Sequence, residues 1–289
     1  MGTKKLILIA FLAISCSFGF ISNKLTTPRL GIVCGLAQDS IAFAAGFGMI
    51  GESVRKILWP SLTETAFSAH LKQIKAAKCK VTVCNLFYPG DLKIAGPDVV
   101  ESKVLAYSDS VLYRAGQAGV QFIVLGSGGS RNIPENYDVN KAETDFVKLG
   151  KKLGLLAQKY KVVIVLENLE KTETNFITSL KSAAAVVRKI NHPNFRLNVD
   201  IFHMMREGES PSEIIAAGNI VSYCEIAEKE KRSLPGVMRD DFKPYLRALK
   251  KINYSGYIFI EGNTANAAVE FPQAFKYLSN QLNEVYAEN

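Results

Sequence analysis

Histidine is scarce in this chain: there are three in 289 residues, at His70, His192 and His203. So few imidazoles exclude a His-rich centre of several zinc ions. Tryptophan occurs once and cysteine five times, and the cysteine spacings match no disulfide scaffold. No GxSxG, Walker loop or HExxH is present, and no Ser-His-Asp or Cys-His arrangement is convincing, so the usual hydrolase, nucleotide-binding and zincin signatures are missing. No low-complexity segment or Pro/Ser-rich linker divides the chain, which points to one domain. The positive charge, +8, is scattered over KQIKAAKCK, KKLGLLAQKY, AEKEKR and LRALKKIN without interleaved aromatics. That pattern is a solvated exterior and argues against nucleic acid as a partner.

Residues 1–22 read as an export leader. Lys4 and Lys5 form a basic start, followed by the apolar run LILIAFLAIS. That run is shorter than the ~20 apolar residues a membrane span needs. Cys16 follows Ala13-Ile14-Ser15, an arrangement that resembles a bacterial lipobox with Ala13 where Leu is usual. The leader therefore predicts an exported, periplasmic or membrane-anchored bacterial lipoprotein lipidated at Cys16, or else an ordinary cleaved signal. Four cysteines lie beyond it, and Cys34, Cys84 and Cys224 fall in apolar strand-like runs where a small buried side chain is the default.

From residue 27 to 289 strand and helix patterns alternate without a break. Strands are predicted at 30–35, 47–53, 80–87, 120–126, 162–168, 195–200, 220–227 and 257–262, the second being short and Gly-rich. Helical patterns separate them. TETAFSAHLKQIKAAK places Ala66, Phe67, His70, Leu71 and Ile74 on one side, and further helices are predicted at 101–118, 141–160, 175–190, 241–252 and 267–287. Asp240 or Asp241 is expected to cap the helix that has Pro244 in its first turn. Eight strands with intervening helices specify an α/β chain folded as a single (β/α)8 TIM barrel over 27–289.

Four of the predicted strands end in an acid: Glu167 in VVIVLEN, Asp200 in FRLNVD, Glu225 in IVSYCEIAE and Glu261 in GYIFIEGN. The steps between them run from roughly 25 to 36 residues, close to one βαβ unit of about 30. In a parallel barrel the C-terminal strand ends converge on one face, where chemistry is done. Any one such acid is explained by a helix cap or an ion pair. Four on one poorly hydrated face would repel one another, and a divalent cation makes them tolerable. Asp200 and His203 form D-x-x-H, and His203 is the one histidine placed near the acids. Lys229 and Arg232 follow Glu225, from where Arg232 can clamp a substrate oxygen. GSGGSR at 126–131 reads either as a tight turn or as a backbone anion cradle.

Taken together, LGIVCGL, the strand-end Glu52, NLFYPGDLKIAGP, VLGSGGSRNIP, VLENLEKTETNF, NVDIFHMMREGE, EIAEKEKRSLPG and YIFIEGN resemble the sugar phosphate isomerase/epimerase family, the xylose isomerase-like TIM barrel proteins. The resemblance covers roughly residues 30–285. It implies a divalent metal held by Glu167, Asp200, Glu225 and Glu261, with His203 and Arg232 binding substrate. Glu225 stands where ketose 3-epimerases of the group have His. An all-oxygen set favours Mn²⁺ or Mg²⁺ over Zn²⁺. The expected activity is a metal-dependent isomerase or epimerase that takes a proton from the carbon beside a carbonyl, with Glu167 and Glu261 as catalytic bases. Because the leader implies export, the expected substrate is an unphosphorylated sugar or keto-sugar. Two other readings stay open: a lyase or hydratase on 3-keto-sugars or glycosides, and a non-catalytic carbohydrate-binding protein at the cell surface.

Overall fold

The computed structural model describes residues 26–288, so the predicted leader and Cys16 lie outside the described residues. Eight parallel strands close on themselves in sequence order: β1 (Arg29–Val33), β2 (Met49–Ser53), β3 (Lys80–Asn85), β4 (Phe122–Leu125), β5 (Val163–Glu167), β6 (Phe195–Asp200), β7 (Val221–Ile226) and β8 (Tyr257–Ile260). The β1–β8 pairing, Arg29 opposite Tyr257 through Ile32 opposite Ile260, seals the cylinder. The expected (β/α)8 barrel is therefore the observed one.

Most strands are short runs rich in Val, Ile and Leu and buried on both faces, as a parallel barrel requires. Outward residues such as Ile164, Leu166, Leu197 and Ile258 join the main core under the helices. Inward residues form a second, smaller core of Met49, Val83, Val124, Val165, Tyr223 and Phe259. The Phe259 ring lies over its register partner Gly31 on the adjacent strand β1, where any Cβ would overlap it. Tyr223 packs against Phe259 and Phe122 at centroid distances of 5.4 Å. This plug fills the barrel interior, so a ligand can enter only from the rim.

The predicted strands run one or two residues too long at several ends, because the apolar patterning continues into the adjoining loop. The Gly-rich second strand is present, and its pairing with β3 shifts register between Ile50 and Gly51. Helices Glu101–Ala118 and Ala267–Ala287 have the expected bounds. In helix Glu64–Ala76, Thr63 caps the start through its side chain and Phe67 is the buried anchor of the expected face. One expectation needs correction. The helix Lys243–Lys251 has Phe242 as its N-cap, while Asp241 accepts the Lys243 N–H at 3.1 Å and Asp240 instead accepts the Lys229 N–H at 2.7 Å. Pro244 sits in its first turn as expected. The short helices Asp39–Ala44, Ile201–Glu207 and Ser212–Ala217 were not visible in the pattern, since six or seven residues give too little period to read. Cys34, Cys79, Cys84 and Cys224 are free thiols.

Candidate metal centre and active site

Barrel register puts the predicted acids on one rim. Glu167 ends β5, Asp200 ends β6 opposite Glu225 of β7, and Glu261 follows β8 directly. One carboxylate oxygen from each of Glu167, Asp200, Glu225 and Glu261 lies within 4.8 Å of the others. Glu225 is fully buried and Asp200 is 1% exposed. Reciprocal bonds fix the neighbouring strand ends: Asn168 donates to the Asp200 carbonyl at 3.1 Å and accepts the Asp200 N–H at 2.9 Å.

The partners of these acids divide their work. Asp200 Oδ1 caps the helix Ile201–Glu207 by accepting the His203 N–H at 3.2 Å. Its Oδ2 is buried and has no hydrogen-bond partner. Glu225 is clamped by two amides: Asn85 Nδ2 donates to Oε1 at 3.0 Å and Asn198 Nδ2 donates to Oε2. Asn85 also donates to Glu261 Oε1, and Arg232 Nη2 pairs with Glu261 Oε2. The Arg232 guanidinium lies 4.8 Å from the Phe202 ring centroid and 3.5 Å from Asp200 Oδ2. His203 Nε2 lies 3.5 Å from Glu167 Oε1 and 3.6 Å from Asp200 Oδ2.

So many acids in a dry site raise the cost of ionising each one. Burial, reinforced by Asp200 and partly offset by His203, pushes Glu167 up to about 7. Burial, with Glu261 and Glu167 adding to it, pushes Glu225 well above the carboxylate range. Burial also raises Glu261, though Arg232 opposes it. For His203 burial works against the charged ring, but Asp200 and Glu167 overcome it and hold the imidazolium up to about 9. A buried Asp200 oxygen that accepts no hydrogen bond, with an oxygen from each of three further carboxylates within 4.8 Å, fits a divalent cation.

The structure brings Glu167, Asp200, Glu225, Glu261, His203 and Arg232 together on one rim. Lys229 is exposed, and no side-chain bond joins it to the cluster. The GSGGSR segment is a tight turn through Ser127 (φ 47°) into a one-turn helix. Its first glycine has a separate reason: a Cβ on Gly126 would strike Glu167 Oε2. Sequence reading missed Asn85, Asn198 and Asn168, the amides that orient the acids. It also missed Arg131, fully buried, which donates to the Glu167 carbonyl at 2.9 Å. Their signal was available, because Asn85 and Asn168 stand at strand ends as the acids do. Glu173, in the loop after β5, is a further acid at the rim.

Residues 41–281 match the xylose isomerase-like TIM barrel family, and the chain belongs to it. Among curated relatives, an L-ribulose 3-epimerase from Methylomonas sp. (strain DH-1) is 28% identical over 174 residues, which are 59% of this chain and 59% of that protein. A ketose 3-epimerase from Arthrobacter globiformis is 29% identical over 99 residues, 34% of each chain. The chain therefore spans less than two thirds of the length of either relative. A solved structure titled L-ribulose 3-epimerase superposes with a TM-score of 0.76 at 18% identity, covering 89% of this chain and 95% of that one, which is a likeness of fold.

Proposed function

We propose that this protein is a divalent-metal-dependent epimerase or isomerase of neutral ketoses or keto-sugars. The observation that carries the reading is the convergence of four carboxylates on one buried centre, one of them with an oxygen that accepts no hydrogen bond. Glu167, Asp200, Glu225 and Glu261 would hold the cation, and their all-oxygen character favours Mn²⁺ or Mg²⁺. When bound, it would draw electron density from a substrate carbonyl and so acidify the neighbouring C–H. Glu167 and Glu261 come from strands three apart around the barrel, so their carboxylates approach the centre from different directions. One removes the proton beside the carbonyl and the other returns a proton to the opposite face, which inverts that carbon. Arg232, held over Phe202, and His203, between Glu167 and Asp200, orient substrate oxygens. Two of the curated relatives are named L-ribulose 3-epimerase and ketose 3-epimerase, which supports the same chemistry here.

The test is a panel of ketoses incubated with the Mn²⁺-loaded protein in deuterated water. Solvent deuterium beside the carbonyl, with product of unchanged constitution, is the expected result. Loss of water or of an aglycone would instead select the lyase reading. No exchange, and no stabilisation by Mn²⁺, would leave a carbohydrate-binding protein.

Charge at the rim supports a neutral substrate, as does the leader predicted over 1–22. Glu173 places a carboxylate 3.7 Å from Arg232 Nη1 and 3.9 Å from His203 Nε2, the two groups proposed to meet substrate. A phosphate or carboxylate on the sugar would compete with it. A unit charge about 4 Å away in water is worth ~1 kcal/mol, so Glu173→Gln should improve D-fructose 6-phosphate relative to D-fructose about fivefold. The ratio of the two Kd values from calorimetry reads this directly. An unchanged ratio would remove Glu173 from substrate selection.

A further inference from the structure

The loop joining β7 to the helix Lys243–Lys251 carries Arg232, and it is organised around a second carboxylate that the chemistry does not use. Glu228 is fully buried. Its Oε1 accepts the N–H groups of Gly236 at 2.7 Å, Arg239 at 2.8 Å and Asp240 at 3.3 Å. Its Oε2 accepts the Ser233 hydroxyl at 3.1 Å and the Met238 N–H at 2.5 Å. Every one of these donors belongs to the loop itself, and none to the acid centre. The loop has wrapped its own backbone around an internal anion, as backbone nests do around phosphates.

That wrapping holds a shape the chain would not otherwise keep. Lys231 and Arg232 sit in succession at φ 60° and 49°, and Arg239 at φ 66°, all left-handed without being glycine. The Glu228 N–H donates to the Ser233 carbonyl at 2.9 Å, closing the turn that contains the strained pair. On the other side Asn263, two residues past Glu261, donates through Nδ2 to the Lys231 carbonyl at 2.9 Å, and its N–H also reaches the Arg232 carbonyl. A Cβ on Gly262 would sit 2.7 Å from that same carbonyl oxygen. Arg232 is thus held between the Glu228 nest and the end of β8, which aims its guanidinium at Glu261.

We infer that Glu228 is a positioning residue for Arg232: its buried carboxylate fixes the 229–240 loop in the strained form that delivers the guanidinium to the substrate. This rests on the proposed role of Arg232 at the epimerase site. It predicts a specific coupling. Arg232→Met removes the clamp, and Glu228→Gln should act through the same clamp by presenting an NH₂ to backbone donors.

The experiment is a double-mutant cycle on kcat/KM for the best ketose, run in parallel on ketose binding by calorimetry with Mn²⁺ present. Glu228→Gln should lower kcat/KM about tenfold, mostly through KM, and Arg232→Met more. The double variant should be no worse than Arg232→Met to within about twofold, since residues acting through one group do not add. Mn²⁺ affinity should stay at the wild-type level in Glu228→Gln. Additive losses, or wild-type kcat/KM in a folded Glu228→Gln protein, would overturn the inference. Should Glu228→Gln not fold, Ser233→Ala removes one nest bond more gently and enters the same cycle with a smaller expected loss. A wild-type protein that binds ketoses without exchanging their protons would sink the epimerase reading, while the binding cycle still decides the role of Glu228.

Discussion

Glu167→Gln and Glu261→Gln should each lower net epimerisation by about 10³-fold or more, at the upper end of what a positioned proton-transfer group contributes. Glutamine keeps the shape and one oxygen ligand but cannot take a proton. A two-base site adds a finer signature. With one base missing, the epimer whose proton faces the surviving carboxylate can still enolise and recover deuterium on the same face. Each variant should therefore exchange one epimer without inverting it, and the two variants should differ in which epimer they exchange. Measuring Mn²⁺ affinity beside the kinetics separates loss of a base from loss of the cation. Wild-type epimerisation in either variant would falsify the two-base assignment. So would a pair of variants that exchange the same epimer, since both carboxylates would then serve one face.

The two glutamates were legible because a barrel writes its active rim into the sequence at a fixed interval. An acid that ends VVIVLE or follows YIFI interrupts a buried run, and such an interruption needs a reason. His203 was legible through its spacing from Asp200, and the structure gives that spacing a double meaning: Asp200 caps the helix with one oxygen and leaves the other free. The partners of the amides were not legible, although Asn85 and Asn168 stand at strand ends. Asn85 serves Glu225 and Glu261 from β3, on the far side of the rim in sequence, and nothing local to NLFYPG signals which acids it will meet. Glu228 was hidden for a similar reason. Lying three residues past Glu225, it reads as one more loop acid in EKEKR, and only the folded loop reveals its ring of backbone donors. Sequence periodicity reports which face a residue takes. It does not report which partner closes on that residue from another strand.

Protons and the cation compete for the same oxygens, so pH should move the metal-free and Mn²⁺-loaded proteins in opposite directions. Glu167 is held up to about 7 in the folded protein against an ordinary 4.5. Between those values the unfolded chain has released a proton that the folded chain keeps, so metal-free stability falls as pH rises through that window. His203, about 9 folded against 6.5, has the same sign: its contribution is complete below 6.5 and is lost as pH rises towards 9. The carboxylates held below their ordinary values, such as Asp39 and Glu170, lose their stabilisation only as pH falls below this range, so their contribution is constant within it. His192, which burial pushes down, opposes the trend, but it lies away from the centre and enters both curves equally. Cation binding needs the acids deprotonated, so Mn²⁺ affinity should climb as pH rises through about 7. At a Mn²⁺ concentration of about 100 Kd the added stability is ~2.7 kcal/mol, a Tm increase of roughly 4–5 °C for a chain of this size. Thermal unfolding between pH 5 and 9, with EDTA and with Mn²⁺, should show the gap between the two curves widening as pH rises. Glu225→Gln should shrink that gap by removing a ligand charge. Curves that run parallel across the range would mean that the four carboxylates hold no shared cation, and the proposed chemistry would go with it.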